Sequence, residues 1–199
     1  MAIDSVLEFA HVLVRRAAGA GDVVIDATVG NGHDTAVLAS IVGPSGRVYG
    51  FDVQEEAIES TQTRLEEESS LDVVELVRVG HEEMDAHLPS EVRGAVAAVT
   101  FNLGYLPGSA SSITTDPETT IPALERAIRV LRPGGVVTVV AYSGHAGGAE
   151  EAAAVDAWAA DLPQDRFDAL SYRFVNQRND PPRLVAIEKT READSSGSS

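Results

Sequence analysis

Val23-Val24-Ile25-Asp26-Ala27-Thr28-Val29-Gly30-Asn31-Gly32-His33-Asp34 is the stretch whose reading decides the fold. Its β-branched run carries no alternation, which predicts a strand buried on both faces. The glycines after it let the chain turn sharply. The apolar spacing from residue 33 to 41 predicts a helix, stopped by Gly43-Pro44-Ser45-Gly46. A strand that passes through a glycine turn straight into a helix is the first half of a βαβ unit. The turn then lies at the carboxyl end of the strand, where doubly wound folds bind nucleotides.

Upstream, Ile3, Val6, Leu7, Phe9, Ala10, Leu13 and Val14 share one helical face over residues 3–18, with Asp4 as the expected N-cap. Downstream the alternation continues, with strands expected at 47–51, 73–79, 95–101 and 136–141. Helices are expected at 54–68, 117–131 and from Gly147-Gly148 to 162, with a short helical stretch after His81. Two closing strands, 167–175 and 184–188, are joined by a loop too short for a crossover helix and must pair antiparallel. The expected fold is therefore α/β, a Rossmann-like doubly wound sheet of seven strands. It is mostly parallel with a C-terminal antiparallel hairpin, and helices cover both faces. A single domain is expected over 1–189, and the polar stretch 190–199 is expected to be a disordered tail.

Composition limits the chemistry. The sequence has no cysteine, which excludes disulfides, thiolate metal sites, cysteine-held iron–sulfur clusters and thiolate nucleophiles. No run of roughly 20 residues is apolar throughout, as a membrane span requires, and the N-terminus lacks a basic start followed by an apolar block, so a cytoplasmic protein is expected. Acidic residues outnumber basic ones 31 to 15, for a net charge of −16, and Lys189 is the only lysine. Such a surface opposes non-specific nucleic-acid binding at low salt. It is also the surface expected of a protein adapted to a salty cytoplasm, where screening removes that repulsion. Charge therefore does not exclude an RNA substrate.

Asp52, 20 residues beyond Gly32, ends the second strand, where a carboxylate can accept hydrogen bonds from both ribose hydroxyls of an adenosine. Its alternative role is to cap the helix beginning near Gln54. A dinucleotide-binding loop wants a third glycine three positions after Gly32, where this chain has Thr35. A pyrophosphate would also meet the carboxylate of Asp34 at the helix N-terminus. S-adenosylmethionine carries a sulfonium and an amino group instead, so Asp26 and Asp34 would attract it. No cluster of His and carboxylates has metal-ligand spacing, and no serine sits in a nucleophile elbow.

The series Asp26-x-x-x-Gly30-x-Gly32, the acidic strand end at Asp52, and Leu131-Arg132-Pro133-Gly134-Gly135 before a strand resemble the class I methyltransferases. Thr28 departs from that pattern, which often has a further glycine there. The strings DATVGNGHDT, YGFDVQEEAI, FNLGYLPG, SITTDPETT, LRPGG and PPRLVAIEK, spread over nearly the whole chain, resemble the rRNA methylase family. Its characterised members methylate the 5-aminomethyl group of the wobble uridine in tRNA. The resemblance implies S-adenosylmethionine as cofactor. It implies a tRNA substrate recognised at the anticodon, with 5-methylaminomethyl-(2-thio)uridine as product, and rRNA as the less favoured substrate.

On that resemblance the cofactor site comprises Asp26, Thr28, Gly30, Asn31, Gly32, His33, Asp34, Asp52, Gln54, His81, Glu82 and Asn102. Asn102 and Tyr105 follow the fourth strand, where methylases of exocyclic amines carry an amide or carboxylate and an aromatic ring. Methyl transfer from a sulfonium is an in-line displacement needing alignment and a neutral amine. Asn102 can accept an amine N–H, and Tyr105 can stack on the uracil ring. The amine must also lose a proton. His145 is the first candidate to take it, followed by His33 and His81. Leu103, Gly104, Tyr105, Tyr142, Asn176 and Arg178 are the expected substrate contacts. Other readings are a methylase of rRNA or of a small amine, a nicotinamide-dependent oxidoreductase, and a module that binds the cofactor without turnover. A homodimer that gathers scattered arginines around one groove is a further expectation.

Overall fold

The computed structural model describes residues 2–104, 113–144, 146–178 and 180–190. The expected tail falls on residues that lie almost wholly outside these. Helix α1 (Val6–Ala17) is capped by Ser5 rather than Asp4. Ser5 Oγ accepts the Glu8 N–H at 3.2 Å, and the Glu8 carboxylate accepts the Ser5 N–H at 2.8 Å. This reciprocal Ser-x-x-Glu box satisfies two helix-end donors, where Asp4 as a lone cap would satisfy one. Hydrogen bonding of the Glu8 carboxyl by the Ser5 side chain and backbone holds it below its usual range.

The alternation follows as β1 (Val23–Asp26), α2 (His33–Val42), β2 (Arg47–Asp52), α3 (Glu55–Glu67), β3 (Val74–Arg78) and β4 (Val96–Leu103). Then come α4 (Pro117–Val130), β5 (Leu131–Ala141), α5 (Gly148–Ala160), β6 (Phe167–Tyr172) and β7 (Arg183–Lys189), with a 3₁₀ turn at His81–Ala86. The strand order is β3-β2-β1-β4-β5-β7-β6. Strands β1 to β5 run parallel, and β7 pairs antiparallel with both β5 and β6. The expected seven-stranded mixed sheet is present.

Helices cover both faces. On one, Val14 of α1, Leu38 of α2 and Leu65 of α3 pack on Val24, Val48 and Ala98. On the other, Met84, Leu124 of α4 and Val155 of α5 pack on Ile25, Phe51, Phe101 and Val137. Strands covered twice must be apolar throughout, which is why β1 and β4 read as continuous runs.

β5 starts five residues earlier than the apolar run suggests, because Leu131-Arg132-Pro133-Gly134-Gly135 belongs to the strand. The pairing with β4 slips between Val96 and Ala98 to accommodate it. A Cβ on Gly135 would stand 2.9 Å from the Arg132 carbonyl oxygen and 3.0 Å from that of Val96, so only glycine fits. The Arg132 guanidinium donates to both carboxylate oxygens of Asp22, at 2.6 and 3.0 Å, and to the Ala17 carbonyl at 2.8 Å. The motif thus ties α1 and the start of β1 to β5, at the end of the sheet opposite the strand ends Asp26, Asp52 and Asn102. Those ends meet where β1 and β4 are neighbours and their connections leave in opposite directions, the crevice in which open α/β sheets bind ligands.

Candidate active site

A cavity of about 550 Å3 fills that crevice. Its walls include Thr28, Gly30, Asn31, His33, Asp34, Asp52, Gln54, His81, Glu82, Asn102, Leu103, Gly104 and Tyr142. Most of the residues singled out in the sequence therefore share one space.

The β1–α2 loop is fixed by its neighbours. Gly32 has φ +77°, which side chains rarely adopt, and a Cβ there would lie 2.7 Å from Thr61 Oγ1 of α3. Backbone conformation and packing against α3 are by themselves enough to require glycine here. Thr61 Oγ1 donates to the Gly30 carbonyl at 3.0 Å, and Arg64 Nε donates to the Asn31 carbonyl at 2.8 Å. His33 is exposed, with Nε2 at 3.2 Å from an Arg64 guanidinium nitrogen. Thr28, the departure from the glycine-rich pattern, has a structural use. Its Oγ1 accepts the Asn102 N–H at 2.6 Å, joining the loop to the end of β4.

Asp52 Oδ2 accepts the Gly30 N–H and Oδ1 accepts the Gln54 N–H, both at 3.0 Å. Gln54 is the N-cap of α3, so Asp52 shapes the turn before the helix and does not cap its first turn. Each carboxylate oxygen keeps acceptor capacity on the cavity side.

Asp26 is fully buried, with Oδ1 accepting from the Thr28 N–H at 3.2 Å and Oδ2 from Thr35 Oγ1 at 2.6 Å. Burial first, and the nearby Asp34 charge second, push its carboxyl up to about 7. Asp34 behaves oppositely. Burial would raise it, but hydrogen bonds from His11 and Asn102 outweigh that and hold it below the ordinary carboxylate range. Asp34 Oδ1 lies 2.9 Å from His11 Nε2, and Oδ2 accepts Asn102 Nδ2 at 2.6 Å. Burial, then the Asp34 charge, raise the Tyr142 hydroxyl above its usual value. His81 is buried with its ring 5.7 Å from that of Phe101. Desolvation lowers its pKa below the ordinary imidazole value.

Tyr105 and His145 lie outside the described residues. The residues flanking the first gap are clasped together. Thr115 N–H donates to the Gly104 carbonyl at 3.0 Å, and Thr115 Oγ1 accepts the Gly104 N–H at 2.9 Å. Thr115 Oγ1 then donates to Glu151 at 2.7 Å, and Thr120 Oγ1 donates to the other Glu151 oxygen at 2.6 Å. Asp116 caps α4 by accepting the N–H groups of Glu118 and Thr119. These bonds account for Thr115, Asp116 and Thr120 of ITTDPETT. Glu151, buried on α5, and His11 are site-supporting residues that sequence reasoning missed. Replacing Glu151 by Ala should lower stability by about 1–3 kcal/mol, because one buried and one half-buried hydroxyl lose their acceptor. Methyl transfer should fall with it, and Glu151→Gln, which keeps an acceptor, should recover part of both. Thermal unfolding and initial rates check this; an alanine variant as stable as the parent would contradict it.

Asn176 and Arg178 are exposed and line neither this cavity nor the apolar one beside it. The second cavity, also about 550 Å3, is walled by Ile3, Leu7, Tyr142, Phe174, Gln177, Pro181 and Pro182, and shares Leu7 and Tyr142 with the first. Among the described residues, no helix is long and apolar enough to cross a membrane.

The walls suit S-adenosylmethionine. Asp52 presents acceptors where ribose hydroxyls are expected, Asp34 presents an ionised carboxylate suited to a cation, and the volume lies within the range of cofactor sites.

The model of the family described as "Putative rRNA methylase" matches residues 48–188. A chloroplastic tRNA (mnm5s2U34)-methyltransferase of Arabidopsis thaliana is 40% identical over 178 residues, covering 85% of this chain. The chain spans 64% of that protein's length. The crystal structure of a "putative rRNA-methylase" from Clostridium thermocellum is 45% identical, with a TM-score of 0.90 over 94% of this chain and 98% of that one. A Streptococcus mutans methyltransferase, solved in complex with SAH, is 34% identical, with a TM-score of 0.83 over 94% of this chain and 99% of that one. This chain belongs to the rRNA methylase family of methyltransferases.

Proposed function

We propose that this chain transfers a methyl group from S-adenosylmethionine to the 5-aminomethyl nitrogen of the wobble uridine in tRNA. The name of the Arabidopsis relative supports that substrate. The observation that carries the reading is the state of the Asn102 side chain. Its Nδ2 is committed to Asp34, since an oxygen 2.6 Å from a carboxylate would be repelled. The remaining polar atom, Oδ1, is an acceptor on a residue that lines the cavity.

S-adenosylmethionine, when bound, supplies an electrophilic methyl group on a sulfonium. Asp52 and the loop from Thr28 to Asp34 hold the adenosine and amino-acid parts, with Gln54, His81 and Glu82 beside them. Asn102 Oδ1 accepts one N–H of the acceptor amine and aims its lone pair; no side-chain nucleophile is needed. Tyr142, Leu103 and Gly104 border the acceptor. The apolar cavity beside them, with Asn176 and Arg178 on the same hairpin loop, lies on the path of the RNA. Tyr105 stacks on the uracil, and His145 takes the proton.

Arg173 and Arg178 are exposed and form no ion pair among the described residues, whereas Arg64, Arg78, Arg126, Arg132 and Arg183 do. A homodimer would bring such free cations together around the RNA. Light scattering at high and low salt reads this, and a monomer in both removes it.

The substrate is tested by presenting purified tRNA, rRNA and small-amine pools in high salt and analysing the nucleosides by mass. Product only in tRNA, at a 5-aminomethyluridine, is expected. Product only in rRNA or in the amine pool would replace the substrate and leave the cofactor reading in place.

A further inference from the structure

His11 has no chemical signature in the sequence, since it sits among apolar residues of α1. In the structure its Nε2 reaches across to α2 and lies 2.9 Å from Asp34 Oδ1, with only 22% and 11% of the two side chains exposed. The other Asp34 oxygen receives Asn102 Nδ2 from β4 at 2.6 Å, and the Asn102 backbone is fixed by Thr28. Three elements are joined through one carboxylate. Among the described residues each Asp34 oxygen has one side-chain donor, so removing either frees the carboxylate to turn about its own bond.

We propose that His11 is a positioning residue for methyl transfer. By holding one oxygen of Asp34 it fixes the other, and so fixes the Asn102 amide with Oδ1 offered to the acceptor amine. The inference rests on the role proposed for Asn102. A bond that merely pins α1 to α2 would affect stability but not the reaction step. In-line displacement is sensitive to small errors of alignment, and a shift near 1 Å costs up to about 100-fold.

The test uses the full chain with S-adenosylmethionine and tRNA. His11→Phe keeps ring volume and removes the donor, and kcat should fall about 10- to 100-fold while the KM for tRNA and cofactor affinity stay within about threefold. His11→Gln places an amide N–H at similar reach and should restore kcat to within about threefold. If the Phe variant does not fold, His11→Asn, too short to reach Asp34, takes its place. In an Asn102→Ala background His11→Phe should cost nothing further, because the effect runs through Asn102. A kcat within twofold of the parent, or an undiminished loss in that background, overturns the inference and leaves the substrate reading intact. A parent protein inactive on tRNA overturns the substrate reading, and this inference with it.

Discussion

Asn102→Ala is expected to lower kcat for methyl transfer by about 100- to 1,000-fold while leaving cofactor affinity within about threefold. The expectation rests on where the side chain is and on what holds it. Its backbone N–H is fixed by Thr28 and its amide nitrogen by Asp34, so the one free acceptor is directed by two independent bonds. An amine that enters without that acceptor keeps its affinity for the rest of the pocket but loses its aim. The loss should therefore appear in kcat rather than in KM. Asn102→Asp is a milder variant: two carboxyl groups 2.6 Å apart share one proton, and the oxygen turned away from Asp34 still accepts, so a smaller loss of kcat is expected. Initial rates with nucleoside detection, alongside cofactor titration, distinguish the cases. A variant that raises KM with kcat unchanged would place Asn102 in binding alone.

The second large effect belongs to Asp26. Its folded value, about 7, lies above the ordinary 3.8, so the folded protein keeps a proton that the unfolded chain has already released. The resulting destabilisation is absent below about pH 4, grows as the pH rises, and is complete above about pH 7. Asp26→Asn removes that penalty while keeping the hydrogen bond from Thr28 and offering an N–H to Thr35 Oγ1. At pH 8.5 the variant should be more stable by roughly 2–4 kcal/mol, a rise of about 5–10 °C in Tm, and the difference should shrink towards pH 5. A variant less stable than the parent at pH 8.5 would show that the carboxylate is better accommodated than its burial implies.

The parts of this molecule that were legible in the sequence are those set by local chemistry. Continuous β-branched runs gave the buried strands, Gly30 and Gly32 gave the loop, and Asp52 followed at the right distance. The short loop after β6 gave the antiparallel hairpin. Other features were present but misread. The Ser5–Glu8 capping box was passed over for Asp4, and LRPGG was placed before β5 although it lies within it. What stayed hidden joins residues far apart along the chain. His11 to Asp34, Asn102 to Asp34, and Thr115 to Glu151 are separated by 23, 68 and 36 residues. Periodicity reports one element at a time and carries no sign of such contacts. Glu151 sits in an alanine-rich helix that reads as an ordinary amphipathic segment until the threonines of the neighbouring motif are seen to point at it.

The central claim is that an amine on the wobble uridine accepts the methyl group. Methyl transfer from labelled S-adenosylmethionine should be measured, in high salt, to two anticodon stem-loops that differ only in a 5-aminomethyl group on that uridine. Label in the amine-bearing RNA alone, recovered as 5-methylaminomethyluridine, is the predicted result. Equal labelling of both, or of neither while full-length rRNA is labelled, would contradict it.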